Sequence, residues 1–319
     1  MLNFIASERH YYDHLRPIHK SLGGTFYVSK DIADYCEGVV YEKVAELKEV
    51  EGYAVVSSFR DLENTRHRGL KQILCEHGAG QTYKDADCGS YANSLTGKDN
   101  VVLYLAVNEH SANAWREISD IPCEVIGCPK LDALIGISSY TRKSPPVIAI
   151  GFHWDCHVAP ESRSSFYWYK DILPELAKRY HTIGHGHPRI IDEIEPFYKD
   201  AGIPVERDFS RVCEVADLYI TDNSSTLFEF AALGRPVVVL NCPHYRKDVH
   251  HGLRFWDYAD LGPQVDRPFA LFEAIAYAMS GDYDDKRREA VSGVYPYLGS
   301  STERAADIIR RFINGNYNA

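Results

Sequence analysis

Residues 217–241, DLYITDNSSTLFEFAALGRPVVVLN, decide the reading of this chain. Leu218–Thr221 is a short β-rich run that enters a polar turn, Asp222-Asn223-Ser224-Ser225. A helical segment follows until Gly234 and Pro236 stop it, and Val237–Asn241 leaves as a second buried strand. The T-x-x-E spacing of Thr226 and Glu229 predicts a capping box with the helix starting at Thr226. Ser224 and Ser225 then stand just ahead of a helix N-terminus, where hydroxyls and backbone N–H groups suit a phosphate. Plain helix capping uses the same residue types, so this stretch alone leaves both readings open.

Working outward, the 319 residues are enough for two domains of ordinary size. An apolar content of 45% with 25% charged residues is that of a globular protein. No apolar run has the length of a membrane span, and the N-terminus lacks the basic and apolar regions of a signal peptide. The eight cysteines are scattered without a C-x-x-C pair, which predicts buried or free thiols of a reducing, cytoplasmic setting. A net charge of −10 gives no indication of a nucleic-acid partner and disfavours non-specific binding to anionic lipid. The 22 tyrosines suit stacking on a carbohydrate or nucleoside but decide nothing.

The chain alternates strands and helices throughout. Residues 7–22 predict a helix bent by Pro17, followed by a strand at Thr25–Ser29, a helix over 30–49 and a strand at Tyr53–Ser57. His10 and His14 share a helix face, but no acidic partner completes a metal pattern, so no metal is expected. A basic segment then precedes a strand at Gln72–Cys75, which runs into Glu76-His77-Gly78-Ala79-Gly80-Gln81. A histidine at the C-terminal end of a strand, followed by a glycine-rich turn, sits where open α/β sheets place ligand-binding groups. A strand (Val101–Ala106), a helix (Ser111–Ile118) and a strand (Glu124–Ile126) lead to GCPKLD at 127–132. Residues 138–146, SSYTRKSPP, read as the linker.

Beyond it, Val147–Gly151 predicts a buried strand, Tyr167–Arg179 a helix and His181–Gly184 a strand. GHGHPR follows at 184–189, where glycines permit a tight turn and Pro188 biases His187 towards an extended backbone. Two histidines on such a corner, His185 and His187, suit metal ligation, phosphate donation or general acid chemistry; with no carboxylate–His pattern nearby, phosphate is favoured over metal. Further helices are expected at 192–201 and 268–280, and an S-x-x-E box at Ser300–Glu303 opens a last amphipathic helix. The pattern implies parallel sheets in two βα-repeat halves, with neither a G-x-G-x-x-G nor a Walker A motif.

In the same order along the chain, CEHGAGQ, VIGCPKLDAL, GHGHPR and DLYITDNSSTLFEFAALGRPVV resemble the H-G, G-x-P-R-x-D-x-L, K-x-H-P and T-D-Y-S-S blocks of the CDP-glycerol glycerophosphotransferases of teichoic acid synthesis. That resemblance implies the GT-B architecture: two Rossmann-like α/β domains with parallel sheets facing a central cleft. The N-terminal, acceptor-side domain is expected over 1–142, the C-terminal, nucleotide-donor-binding domain over 143–300, and a C-terminal helix over 301–319 packing back on the first. The resemblance also implies that His77 is the base on the acceptor hydroxyl, with Glu76, Gly78, Gly80 and Gln81 on the acceptor side. His187, with His185, Pro188 and Arg189, is expected at the donor phosphates. Ser224, Ser225 and Thr226 would receive the pyrophosphate on a turn shaped by Asp222 and Asn223, and Glu229 would reach a ribose or glycerol hydroxyl.

The departures from the family pattern are Glu76 for an aromatic, Ala79-Gly80 for Thr-Pro, Ile150–Trp154 for A-P-T-W-R, no Lys before H-P but an added His185, and Asn223 for Tyr. The expected function is a transferase moving glycerol phosphate or a sugar from a nucleotide-diphosphate donor to a polyol-phosphate, glycan or other hydroxyl, with no metal or cofactor. A nucleotide-sugar GT-B glycosyltransferase needs almost the same site. A nucleotide-sugar epimerase and a non-catalytic nucleotide-binding module are more distant alternatives. The expected location is the cytoplasm, with at most a peripheral contact at the inner membrane face.

Overall fold

The computed structural model describes residues 1–36, 39–41, 50–66, 68–79, 94–137, 141–157, 160–245 and 261–317. They form two compact units. The first comprises the described parts of Met1–Thr82, Gly89–Ile135 and Tyr295–Ala319, the second those of Gly136–Val294.

The first unit is built on a seven-stranded, all-parallel sheet of order β3-β2-β1-β4-β5-β6-β7. Its strands are β1 (Leu2–Ala6), β2 (Thr25–Ser29), β3 (Val39–Tyr41), β4 (Tyr53–Val56), β5 (Lys71–Cys75), β6 (Val101–Ala106) and β7 (Cys123–Val125). Strand β1, interior in the sheet between β2 and β4, was not anticipated. LNFIA is buried on both faces, so it lacks the polar–apolar alternation of a half-buried strand, and no turn signal separates it from the chain start. Of the helix expected over 30–49, the described part is a 3₁₀ turn at Lys30–Tyr35 and the strand β3, where the β-branched Val39 and Val40 favour an edge strand; 42–49 lie outside the described residues. The basic segment before β5 contains a helix, α2 (Phe59–Arg66).

Helix α1 (Arg9–Leu22) packs Tyr12, Leu15 and Ile18 on one face of the sheet, together with Ile308 and Ile309 of the helix Ser301–Ile313. On the other face, Leu62 of α2 and Trp115 of α3 (Glu109–Arg116) cover Val56, Leu74 and Tyr104. The indole of Trp115 stacks on Tyr104 at 4.6 Å between centroids.

The GCPKLD segment clasps the last helix. Gly127 holds a φ of +78°, and a Cβ there would lie 2.4 Å from the Ser301 hydroxyl. That hydroxyl accepts from the Cys128 N–H at 3.1 Å. Asp132, in α4 (Pro129–Ile137), accepts from the N–H groups of Gly299 at 2.9 Å and Thr302 at 2.6 Å. The capping box expected from Ser300 and Glu303 is therefore replaced by a cap from a distant residue; Ser300 makes no side-chain cap bond.

The second unit carries a five-stranded parallel sheet of order β12-β11-β10-β8-β9. These are β8 (Val147–Phe152), β9 (His181–Gly186), β10 (Leu218–Thr221), β11 (Val237–Leu240) and β12 (Gln264–Val265). Both faces are covered, so β8, β10 and β11 are buried at every residue. The helical path after β8 is broken into α5 (Phe166–Tyr169), a 3₁₀ turn and α6 (Leu173–Arg179), Pro174 falling at the start of α6. Helix α7 (Ile191–Asp200) and α8 (Phe209–Val215) precede β10, and α9 (Thr226–Ala232) joins β10 to β11.

Gly184 and Gly186, read as turn residues, lie within β9. A Cβ on Gly184 would sit 2.7 Å from the Tyr198 ring, and one on Gly186 would meet Ile194 at 3.0 Å. The glycines make room for α7, whose Tyr198 hydroxyl lies 3.0 Å from the Ile150 carbonyl and 2.9 Å from that of His185. No helix among the described residues is long and apolar enough to cross a membrane.

Asp132→Ala removes acceptors from two backbone N–H groups at a helix start, so a loss of about 1–2 kcal/mol is expected in chemical denaturation. Exchange protection should fall first in Ser301–Ile313.

Candidate active site

In a parallel sheet the loops after the strands gather at one edge, and ligands collect where strand order reverses. In the first unit the reversal falls between β1 and β4. Ser7 follows β1, Ser57 follows β4, and His77 lies just beyond β5.

The His77 Nδ1 lies 2.6 Å from the Ser57 carbonyl oxygen. A carbonyl can only accept, so Nδ1 carries the proton and Nε2 is the basic nitrogen. Tyr11 meets the ring edge-on at 4.7 Å, and the rings of His10 and His14 lie 5.8 and 6.1 Å away. His10 is 3.7 Å from the Glu8 carboxylate, and His14 is buried with Nδ1 3.8 Å from the Cys128 sulfur. Among the described residues, no group of three or more His, Cys, Asp or Glu side chains is placed to hold a metal ion.

Gly78 turns the chain with a φ of +69°, a conformation that favours glycine. Gly80 and Gln81 lie outside the described residues. Glu76 is fully buried: its carboxylate accepts from the Val107 N–H at 3.1 Å and the Ser111 hydroxyl at 3.0 Å, which ties the end of β5 to the β6–α3 loop. Burial pushes its carboxyl up to about 7, against the pull of those two hydrogen bonds and of Lys98. Lys98, buried beside the Phe59 and Trp115 rings, is lowered by its own burial to about 8.

The second unit reverses strand order between β8 and β10. Asp222 follows β10 and is fully buried. Its Oδ1 accepts from the His153 N–H at 2.8 Å; its Oδ2 accepts from the Ser165 N–H at 2.8 Å and the Ser165 hydroxyl at 3.1 Å. The turn after β10 is thereby stitched to both ends of the loop after β8. Burial pushes Asp222 up to about 6 in spite of these donors.

Asn223 is buried too, and its Nδ2 donates to the Arg163 carbonyl at 2.7 Å, which also accepts from the Tyr245 hydroxyl at 2.8 Å. Ser225 stands at the N-cap of α9 without a side-chain cap bond. The Ser224 hydroxyl lies 3.4 Å from the Thr226 N–H and 2.7 Å from the Thr226 hydroxyl, which also contacts the Tyr219 hydroxyl at 3.1 Å. Thr226 is thus the first helical residue, not the cap of a box with Glu229, because Ser224 already meets its N–H. Ser224 and Ser225 are half-buried, and Glu229 is 1% exposed in the first turn.

His187 is half-buried at the end of β9. Its Nδ1 accepts from the Arg189 N–H at 3.1 Å, so the neutral ring carries its proton on Nε2. His153 and Trp154 flank it at 5.2 and 6.2 Å between ring centroids, and the exposed Arg189 lies over Trp154 at 4.9 Å. Pro188 is exposed. His185 behaves differently: it is buried, and its Nδ1–H donates to the Glu206 carbonyl at 2.8 Å, holding that segment to the sheet. Sequence reasoning left His153, Trp154, Ser165 and Tyr245 out of the site; a histidine and a tryptophan directly after a buried strand were the available signal for the first two.

With this geometry in place, the resemblance can be located. Residues 169–311 match the CDP-glycerol:poly(glycerophosphate) glycerophosphotransferase family. The matched stretch contains His187, the Asp222–Ser225 turn and α9. No curated protein sequence matches the chain. Among solved structures, the wall teichoic acid polymerase TagF has a TM-score of 0.68 at 16% identity, covering 99% of this chain and 89% of that one. A putative UDP-N-acetylglucosamine 2-epimerase from Listeria monocytogenes has a TM-score of 0.65 at 13% identity, covering 98% and 96%. An S. aureus MnaA–UDP structure gives the same four values, 0.65, 13%, 98% and 96%. At these identities the likeness speaks for the fold, two parallel-sheet α/β units of the GT-B class, and it accords with the glycerophosphotransferase match.

Glu76 holds a proton more tightly in the folded chain than in the unfolded one. Its contribution to stability is therefore fully present below the ordinary carboxylate range and is lost as pH rises through about 7. The shift is worth on the order of 3 kcal/mol. Exchange protection of the β5 and β6 amides should fall from pH 5 to pH 8 in the wild type, and Glu76→Gln should flatten that dependence.

Proposed function

We propose that the chain is a CDP-glycerol-type glycerophosphotransferase, with His77 as base on the acceptor hydroxyl and His187, Ser224 and Ser225 at the donor phosphates. One observation carries the residue assignment. Backbone groups fix opposite protonation patterns on the two histidines: a carbonyl on Nδ1 of His77 leaves Nε2 basic, and an N–H on Nδ1 of His187 makes Nε2–H a donor. The first pattern suits proton abstraction, the second hydrogen bonding to phosphate oxygen.

In the proposed step, Nε2 of His77 takes the acceptor's hydroxyl proton as the acceptor oxygen attacks the phosphorus that bears glycerol. The bond from that phosphorus to the bridging oxygen breaks, and the nucleoside monophosphate leaves with the electron pair. Its growing negative charge is met by the Nε2–H of His187 and by the Ser224 and Ser225 hydroxyls, donors that need no rearrangement during the reaction. The match over 169–311 supports the donor class, and a polyol phosphate supplies the acceptor hydroxyl.

A nucleotide-sugar epimerase is the second reading, favoured by the fold-level likeness to 2-epimerases. An epimerase consumes donor when no acceptor is present; the proposed transferase does so only when an acceptor is added.

With CDP-glycerol and a glycerol-phosphate acceptor, His77→Ala should lower kcat by about 10²–10⁴-fold while calorimetry shows donor affinity unchanged. Near-normal turnover of His77→Ala at saturating donor would remove the base assignment. The double change Ser224→Ala/Ser225→Ala should weaken nucleotide binding, and unchanged affinity would remove the phosphate assignment. Activity should persist in excess chelator; strict dependence on an added divalent ion would contradict the proposed step.

A further inference from the structure

Asp61 takes no part in the chemistry proposed above, yet it is fully buried within the loops that surround His77. It lies in the first turn of α2, three residues after Ser58, whose hydroxyl accepts from the Asp61 N–H at 3.0 Å. In a local capping arrangement the carboxylate at this position turns back to the cap residue's own N–H. Here it reaches another loop, and Oδ2 accepts from the Ser7 N–H at 3.2 Å. Burial outweighs the hydrogen bonds from Ser58 and Ser7 and pushes the carboxyl up to about 6, with the nearby Glu8 carboxylate adding to the rise. A carboxylate raised in this way is a poor device for stability alone.

Its position suggests another use. Ser7 closes β1 and Ser57 closes β4, the two strands at the reversal of strand order. The Ser57 carbonyl sets the proton on His77, and the loop from Ser7 leads into α1, whose His10 and Tyr11 rings flank the same imidazole. Asp61 therefore joins both segments that touch His77: its carboxylate is hydrogen-bonded to Ser58 and accepts from the Ser7 N–H, and its own N–H donates to the Ser58 hydroxyl.

We infer that Asp61 is a positioning residue for His77: it locks the β4–α2 turn to the β1–α1 loop, so that the Ser57 carbonyl stays on Nδ1 and Nε2 stays the basic nitrogen. The inference rests on the reading of His77 as the base, but its first consequence, the tautomer of His77, is observable without turnover.

The test combines histidine ¹⁵N NMR with kinetics on the full chain. In the wild type at pH 7.5, a pH chosen to lie about one unit or more above an ordinary histidine pKa, His77 should be the Nδ1–H tautomer. Asp61→Ala should give a mixture of tautomers and lower kcat by ~10–100-fold, with the KM for CDP-glycerol unchanged. Asp61→Asn, which keeps an oxygen for the Ser7 N–H, should restore most of both. Should Asp61→Ala fail to fold, Ser58→Ala loosens the same turn from its other side and should shift tautomer and kcat in the same direction. A pure Nδ1–H tautomer with wild-type kcat in the variant that folds overturns the inference. If His77→Ala retains activity while Asp61→Ala still mixes the tautomers, the base assignment fails and the positioning role stands. If His77→Ala is inactive and Asp61→Ala leaves the tautomer pure, the reverse holds.

Discussion

A buried carboxylate at the strand-order reversal of each sheet holds the active-edge loops in place. Neighbouring loops diverge at a reversal, because the connections after the two strands leave to opposite faces. Backbone N–H groups at that edge then have no strand partner, and an unmet buried N–H is costly. Asp61 meets the N–H of Ser7 in the first unit, and Asp222 meets those of His153 and Ser165 in the second. Burial pushes both up to about 6 against the pull of their hydrogen bonds.

From that scaffold the two histidines acquire complementary chemistry without any difference in residue type. Imidazole is ambivalent until one nitrogen is committed, and here main-chain groups commit Nδ1 in opposite senses. A carbonyl at His77 and an N–H at His187 are consequences of where β4 and β9 end. His185, two residues before His187, shows the contrast. It lies inside β9, so its Nδ1–H is used to hold the Glu206 carbonyl, a packing role in a residue of the same kind.

Much of this was legible in sequence because it is local. The 217–241 unit carries its own punctuation, and a histidine followed by glycine at the end of β5 is a one-dimensional signal. What could not be read is non-local. The S-x-x-D of Ser58 and Asp61 looks like a self-contained helix start; only the fold shows that its carboxylate serves a loop some 50 residues earlier. Asp132 and the helix Ser301–Ile313 form a similar pair, where the cap written into the helix's own sequence is not the cap in use. Strand β1 was missed for a different reason: a strand buried on both faces has no periodicity to detect.

Asn223 illustrates how structure relocates a difference that sequence can only flag. Read in one dimension, an Asn where the family has Tyr marks a change facing the donor. In three dimensions Asn223 is buried, and its amide shares the Arg163 carbonyl with the phenol of Tyr245, a tyrosine delivered from beyond β11. The substitution is thus coupled to internal scaffolding: Asn223 and Tyr245 together fasten the loop that carries His153, Trp154 and Arg163. Beside His187, the half-buried Trp154 and the exposed Arg189 form a stacked aromatic–cation pair, carried by the same loop and by the end of β9. A change at position 223 therefore also moves that loop, and its effect is coupled to Tyr245 rather than additive with it.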